Sequence, residues 1–148
     1  MKQSIEESGR AIRVRPLSFV RRPRKYTGST GEIMSIVRNE EPKIFTPEPG
    51  MRRQVLANTD QLMLIRHYFD ADWVGARHSH PHHQLVYVIS GAIRVDVGGK
   101  VFDAHAGDSF IVDGGVEHQA SALEPSEVLD VFTPTREDYR DLLTQDKS

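Results

Sequence analysis

From Lys43 onward, apolar residues recur at every second position in short runs that turn residues interrupt. The runs 43–46, 51–57, 61–69, 73–79, 84–89, 92–97, 100–104, 108–112, 117–122 and 126–132 read as β-strands. Gly98-Gly99, between Val97 and Val101, is a two-residue hairpin signal, and Gly91, Gly107 and Gly114-Gly115 mark further turns. Many short strands at near-even spacing, with no long amphipathic helix, predict an all-β antiparallel barrel or double-sheet jelly roll. One short helix is expected at the end. Thr133 reads as its N-cap and Pro134 as its first position, followed by Glu137, Asp138, Tyr139, Leu142 and Leu143. Its charge puts it on the outside of the barrel.

The first 33 residues lack this pattern. A brief alternation at Ile12, Val14, Leu17 and Phe19 suits an edge strand swapped onto a partner subunit, and Thr27–Gly31 reads as a flexible joint. The expected division is therefore a basic extension, 1–33, flexible or swapped, and a barrel domain, 34–148. Charge follows the same boundary. The extension carries eight Lys/Arg against three Glu, whereas the remainder carries eleven basic against eighteen acidic residues. An acidic body argues against nucleic acid as the ligand.

At 148 residues the chain has room for one core. The absence of cysteine excludes disulfides, thiolate catalysis and Cys-based zinc sites. No apolar run has the ~18 residues of a membrane span, and none near Met1 reads as a signal peptide. The expectation is a cytoplasmic protein with no membrane partner.

Five of the seven histidines fall in two places: His78, His80, His82 and His83 together, and His118 beyond a Gly turn. In a strand, residues i and i+2 share a face, so His78 and His80 project together. In a Cys-free chain, imidazoles are the usual source of converging lone pairs for a metal. His82 and His83 are expected in the turn after Pro81, as exposed or substrate-bonding groups or as replacements for a ligand. His67 and His105 read as structural.

The segment His78-Ser-His80-Pro-His-His-Gln84-Leu-Val-Tyr-Val-Ile-Ser-Gly91 resembles the first cupin motif, and Gly107-Asp-Ser-Phe-Ile-Val-Asp113-Gly-Gly115-Val-Glu-His118 the second. Asp113 stands where that family usually has Pro. The resemblance implies a single cupin double-stranded β-helix, commonly dimeric, with one divalent ion (Ni, Zn, Mn, Fe or Co) on His78, His80, Gln84 and His118. Many cupins have Glu where this chain has Gln84. Three imidazoles and an amide leave the ion's charge uncompensated, which favours Lewis-acid over oxygen-activating chemistry.

Near the end, Val128, Asp130 and Phe132 alternate with Leu129 and Val131, and both sets are apolar enough to face inward. Asp130 is thus either an interior carboxylate with Arg136 folding back to the mouth, or an exposed partner of Arg136 in a surface ion pair. The run Leu129-Asp130-Val-Phe132-Thr-Pro-Thr-Arg136-Glu-Asp138 is similar to the C-terminal signature of the pectin-degradation cupins, with His83 where those proteins commonly have Glu. That resemblance implies catalytic Asp130, Phe132 and Arg136, and a sugar acid as substrate. The implied reaction converts 4,5-unsaturated uronate monomers to a linear 5-keto-4-deoxyuronate. A cupin dioxygenase and a non-catalytic sugar-binding or sensor module are the alternatives, since the fold hosts many functions.

Overall fold

The computed structural model describes residues 36–143. The basic extension 1–33 lies outside the described residues. Among the described residues nine strands precede one helix: β1 Ile44–Glu48, β2 Met51–Asn58, β3 Met63–Phe69, β4 His83–Ser90, β5 Ala92–Val97, β6 Lys100–His105, β7 Ser109–Val112, β8 His118–Ala122, β9 Ser126–Thr133 and α1 Glu137–Leu142. They form a six-stranded sheet, β1-β2-β3-β9-β4-β7, and a three-stranded sheet, β6-β5-β8, paired antiparallel. This is the expected double-sheet jelly roll. Among the described residues, no helix is long and apolar enough to cross a membrane.

Period-two burial decides which side chains reach the interior. On β3 the buried set is Met63, Ile65, His67 and Phe69; on β9 it is Ser126, Val128, Asp130 and Phe132. The alternation that the sequence left open on β9 thus resolves with Asp130 inside. Phe69, Val86, Val88, Ile93, Val95 and Val128 belong to one apolar cluster. A smaller cluster of Val55, Met63, Ile65 and Phe132 takes Tyr139 of α1 against it. The helix buries no residue fully, in keeping with its expected peripheral place.

Two local expectations fail. The run 73–79 is not a strand; its ladder to β8 is reduced to two isolated bridges, Val74 to Ser121 and His78 to His118. Four steps along one chain oppose three along the other, so one extra residue bulges out and breaks the ladder. The helix also starts later than expected. Thr133 stays in β9 opposite His83, a cis peptide bond leads to Pro134, and Arg136 takes the N-cap position without a side-chain cap. Pairing to β4 holds Thr133 where propensity alone assigns it to the helix. Glu137 and Asp138 still complement the dipole of the first turn.

Gly91, which ends the first motif, has φ of 80°, and a Cβ there would run into the Pro125 carbonyl and Ser126. Gly99 has a similar φ of 84° but open space around it. Gly99→Ala should therefore cost about 1 kcal/mol, the left-handed penalty alone. Gly91→Ala should cost roughly 2–4 kcal/mol, because overpacking adds to it. Chemical denaturation of both variants checks the order.

Candidate metal centre and catalytic pocket

His78 and His118 are joined through the main chain. His78 N–H donates to the His118 carbonyl at 3.0 Å, and His118 N–H returns the bond at 2.8 Å. The turn of the second motif also lies on the first: Gly115 N–H donates to the His80 carbonyl at 2.7 Å. A side chain at Gly114 would strike the Pro81 carbonyl. These contacts bring one nitrogen from each of His78, His80 and His118 within 4.8 Å of one another. Gln84, inward-facing at the start of β4, places Oε1 3.2 Å from His80 Nε2.

The donor chemistry of this cluster suits a cation. Each imidazole has its Nδ1 against a carbonyl two residues away: His78 on Ala76 at 2.9 Å, His80 on His82 at 3.1 Å, His118 on Val116 at 2.8 Å. A carbonyl only accepts, so each Nδ1 carries the hydrogen and each Nε2 keeps its lone pair, the usual arrangement of metal-bound histidine. His80 Nε2 and Gln84 Oε1 then face each other as two lone pairs. Burial pushes the His80 imidazole down from 6.5 to about 4, with Arg136 and His118 acting the same way, so no second proton bridges them at neutral pH. Burial also holds His118 below its ordinary value. An electron-pair acceptor is what the four groups lack, and a divalent ion supplies one.

The cluster opens on a cavity of about 300 Å³ whose wall includes His78, Gln84, His118, Asp130, Phe132 and Arg136. His80 is not part of that wall; it is buried and packs edge-on against Phe132, with ring centroids 5.6 Å apart. Every residue singled out as ligand or catalytic group in the sequence is therefore at or beside one cavity. Asp130 is 5% exposed and does not pair with Arg136 on the surface. Its Oδ2 lies 2.8 Å from His67 Nδ1, and its Oδ1 is buried without a hydrogen-bond partner among the described residues. Arg136 instead chelates Asp138 through Nε at 3.1 Å and Nη2 at 2.7 Å. Burial alone would lower the Arg136 pKa, but Asp138, Tyr139 and Asp130 outweigh it and raise it.

His82 and His83 stand outside the triad. His83 Nδ1 accepts from the Gly114 N–H at 3.3 Å and lies 3.3 Å from an Asp113 oxygen, so it ties the first motif to the turn where Asp113 replaces Pro. His105 is exposed, away from the cavity. His67, expected to be structural, sits in the cavity wall beside Asp130. Arg53 and Tyr139 were absent from the expected site and also line it. Tyr139 carries Arg53 and Arg136 over its ring, at 4.0 and 4.1 Å from the centroid. The signal for Arg53 was present in the sequence: it interrupts the inward alternation Met51, Arg53, Val55 with a charge.

One divalent ion per chain is expected by elemental analysis, and none in His118→Ala, which should still fold because the core is apolar. Full metal retention in that variant would discard the ligand set. The metal-stripped protein should also lose stability on acidification. The unfolded chain protonates His80 and His118 near 6.5 while the native state resists until about 4 for His80, so stability falls as pH drops across that window. Thermal melts at stepped pH check this, with a shallower slope expected for His80→Gln.

Sequence and structure comparisons agree with this architecture. The family described as Cupin domain matches residues 67–132. Pectin degradation protein KdgF of Dickeya dadantii (strain 3937) is 30% identical over 92 residues, 61% of this chain and 84% of that protein. The solved structure of KdgF from Halomonas sp. is 38% identical with a TM-score of 0.68, covering 72% of this chain and 98% of that one. An RmlC-like cupin from Shewanella frigidimarina NCIMB 400 is 34% identical with a TM-score of 0.69, covering 72% and 96%. With both histidine motifs meeting at one cavity inside a double-sheet barrel, the chain belongs to the cupin family.

Proposed function

We propose that this cupin is a metal-dependent enzyme of pectin or alginate breakdown that linearises 4,5-unsaturated uronate monomers to 5-keto-4-deoxyuronate. The observation that carries the reading is the unpartnered Oδ1 of a buried Asp130 in the same cavity as the histidine triad and Arg136. The similarity to KdgF proteins supports the substrate class.

The reaction is an isomerisation. The bond between the anomeric carbon and the ring oxygen breaks, the anomeric hydroxyl loses its proton, and carbon 4 of the resulting enol gains one. A divalent ion on His78, His80, Gln84 and His118 supplies Lewis-acid polarisation of a substrate oxygen when bound. Asp130 moves the proton through its free Oδ1. Arg136 has two hydrogen-bonding edges; Asp138 occupies the Nε–Nη2 edge and leaves the Nη1–Nη2 edge to grip the substrate carboxylate. Phe132, almost fully buried, keeps an apolar wall against the sugar and water away from the proton transfer. Arg53, close by over Tyr139, adds a second cation to a cavity that receives an anion.

Loss of ultraviolet absorbance from lyase-generated unsaturated monomer gives the assay. Asp130→Asn should retain metal and substrate binding but lose turnover by ~10²–10⁴-fold. Arg136→Lys should mainly raise KM, because an ammonium cannot form two parallel bonds. Full activity in Asp130→Asn would remove that residue from the mechanism. Iron-dependent oxygen consumption, or ligand stabilisation without turnover, would select the dioxygenase or the binding module instead.

A further inference from the structure

Three adjacent strands line up three polar side chains across the inner face of the larger sheet. Arg53 of β2 is the direct register partner of His67 on β3. Asp130 of β9 lies opposite Ile65, hence diagonal to His67 on the same buried face. Arg53 Nε–H donates to His67 Nε2 at 2.9 Å. A guanidinium has no acceptor, so Nε2 must offer its lone pair and the ring proton must sit on Nδ1. That Nδ1 is the atom 2.8 Å from Asp130 Oδ2. The contact is close although the ring N–H is not yet aligned on the oxygen. Catalytic hydrogen bonds of this kind tighten once substrate is bound.

The row is costly to bury. His67 and Asp130 are 6% and 5% exposed, and Oδ1 has no partner. Leaving a buried acceptor unsatisfied is destabilising, the more so for a charged group. Apolar residues at these inward positions would fill the space without that cost. The arrangement makes sense if one carboxylate oxygen is anchored so that the other is presented to the cavity.

Resting on the role given to Asp130 above, we infer that His67 is a positioning residue for that reaction. Arg53 locks it as the Nδ1–H tautomer, and it holds Asp130 by Oδ2, so that Oδ1 is the oxygen that exchanges the proton. His67 carries no proton through to solvent, because Arg53 occupies its other nitrogen. A merely structural histidine would leave kcat unchanged on apolar replacement.

The test pairs kinetics with nitrogen-15 NMR of the full-length protein. His67→Leu should keep one metal ion and a KM near wild type but lose kcat on the order of 10²-fold, the cost of a misplaced catalytic group. His67→Asn, whose amide N–H can still reach Oδ2, should recover most of that loss. In the metal-free protein the ring nitrogens of His67 should show the Nδ1–H pattern, which the Arg53 donor at Nε2 and the Asp130 carboxylate at Nδ1 both favour. An Nε2–H tautomer in the wild type, or unchanged kcat in His67→Leu, overturns the inference. A wild-type chain that leaves the unsaturated monomer untouched overturns the function instead, and the tautomer measurement then decides the Arg53–His67–Asp130 geometry by itself.

Discussion

The whole site hangs on the two main-chain hydrogen bonds between His78 and His118, residues forty positions apart in sequence. The segment before β4 is too irregular to be a strand, yet this bridge fixes its end to β8. The bridge sets the separation of two imidazoles directly, and the Gly115–His80 bond extends the same clamp to the third. Side-chain tautomers follow from the backbone as well, since each Nδ1 is committed to a local carbonyl. Preorganisation of this kind leaves little conformational entropy to lose when a cation binds.

Around that clamp the inner face of the sheet is unusually polar. His67, Gln84, Asp130 and Arg53 occupy positions that strand alternation otherwise gives to Met51, Ile65, Val86 and Val128. The barrel accommodates them as a band between two apolar clusters, with Met51, Phe69 and Val128 on one side and Val55, Ile65 and Phe132 on the other. Stability and chemistry are thus divided along the strands rather than between domains. Arg53 is bonded to His67 in that row, and Asp130 keeps a buried Oδ1 without a hydrogen-bond partner among the described residues.

What the sequence disclosed follows from which constraints are local. Ligand spacing is local: His78, His80 and Gln84 fall within seven consecutive residues, and the Gly-turn-His pattern places His118. Strand positions were legible because alternation is a property of each segment alone. The partnership of Arg53 with His67, and of His67 with Asp130, depends on the register between β2, β3 and β9, which alternation within one strand does not determine. The same limit explains the helix start. Thr133 and Pro134 satisfy every local rule for an N-cap, and only pairing with His83 on β4 overrides them. The bulge that breaks 73–79 is likewise a mismatch between two chains, invisible in either one.

Charge completes the argument about the ligand. The three imidazoles and the Gln84 amide are uncharged at neutral pH, so a divalent ion there would bring its full charge into a cavity that already holds the Arg53 and Arg136 guanidiniums. Burial lowers the Arg53 pKa, a sign that its charge is only partly offset there. Asp138 offsets Arg136, and its own pKa is lowered by that bond. Two carboxylates line the same cavity among the described residues: Asp130, whose Oδ2 lies beside His67, and Glu48, which accepts from the Trp73 indole. With a divalent ion bound, the two guanidiniums and two carboxylates of the wall would leave the cavity net positive, which suits the anionic substrate proposed above. The amide of Gln84 would then matter for the proposed sugar acid as well as for an ion, since a carboxylate there would cancel part of the electrostatic attraction.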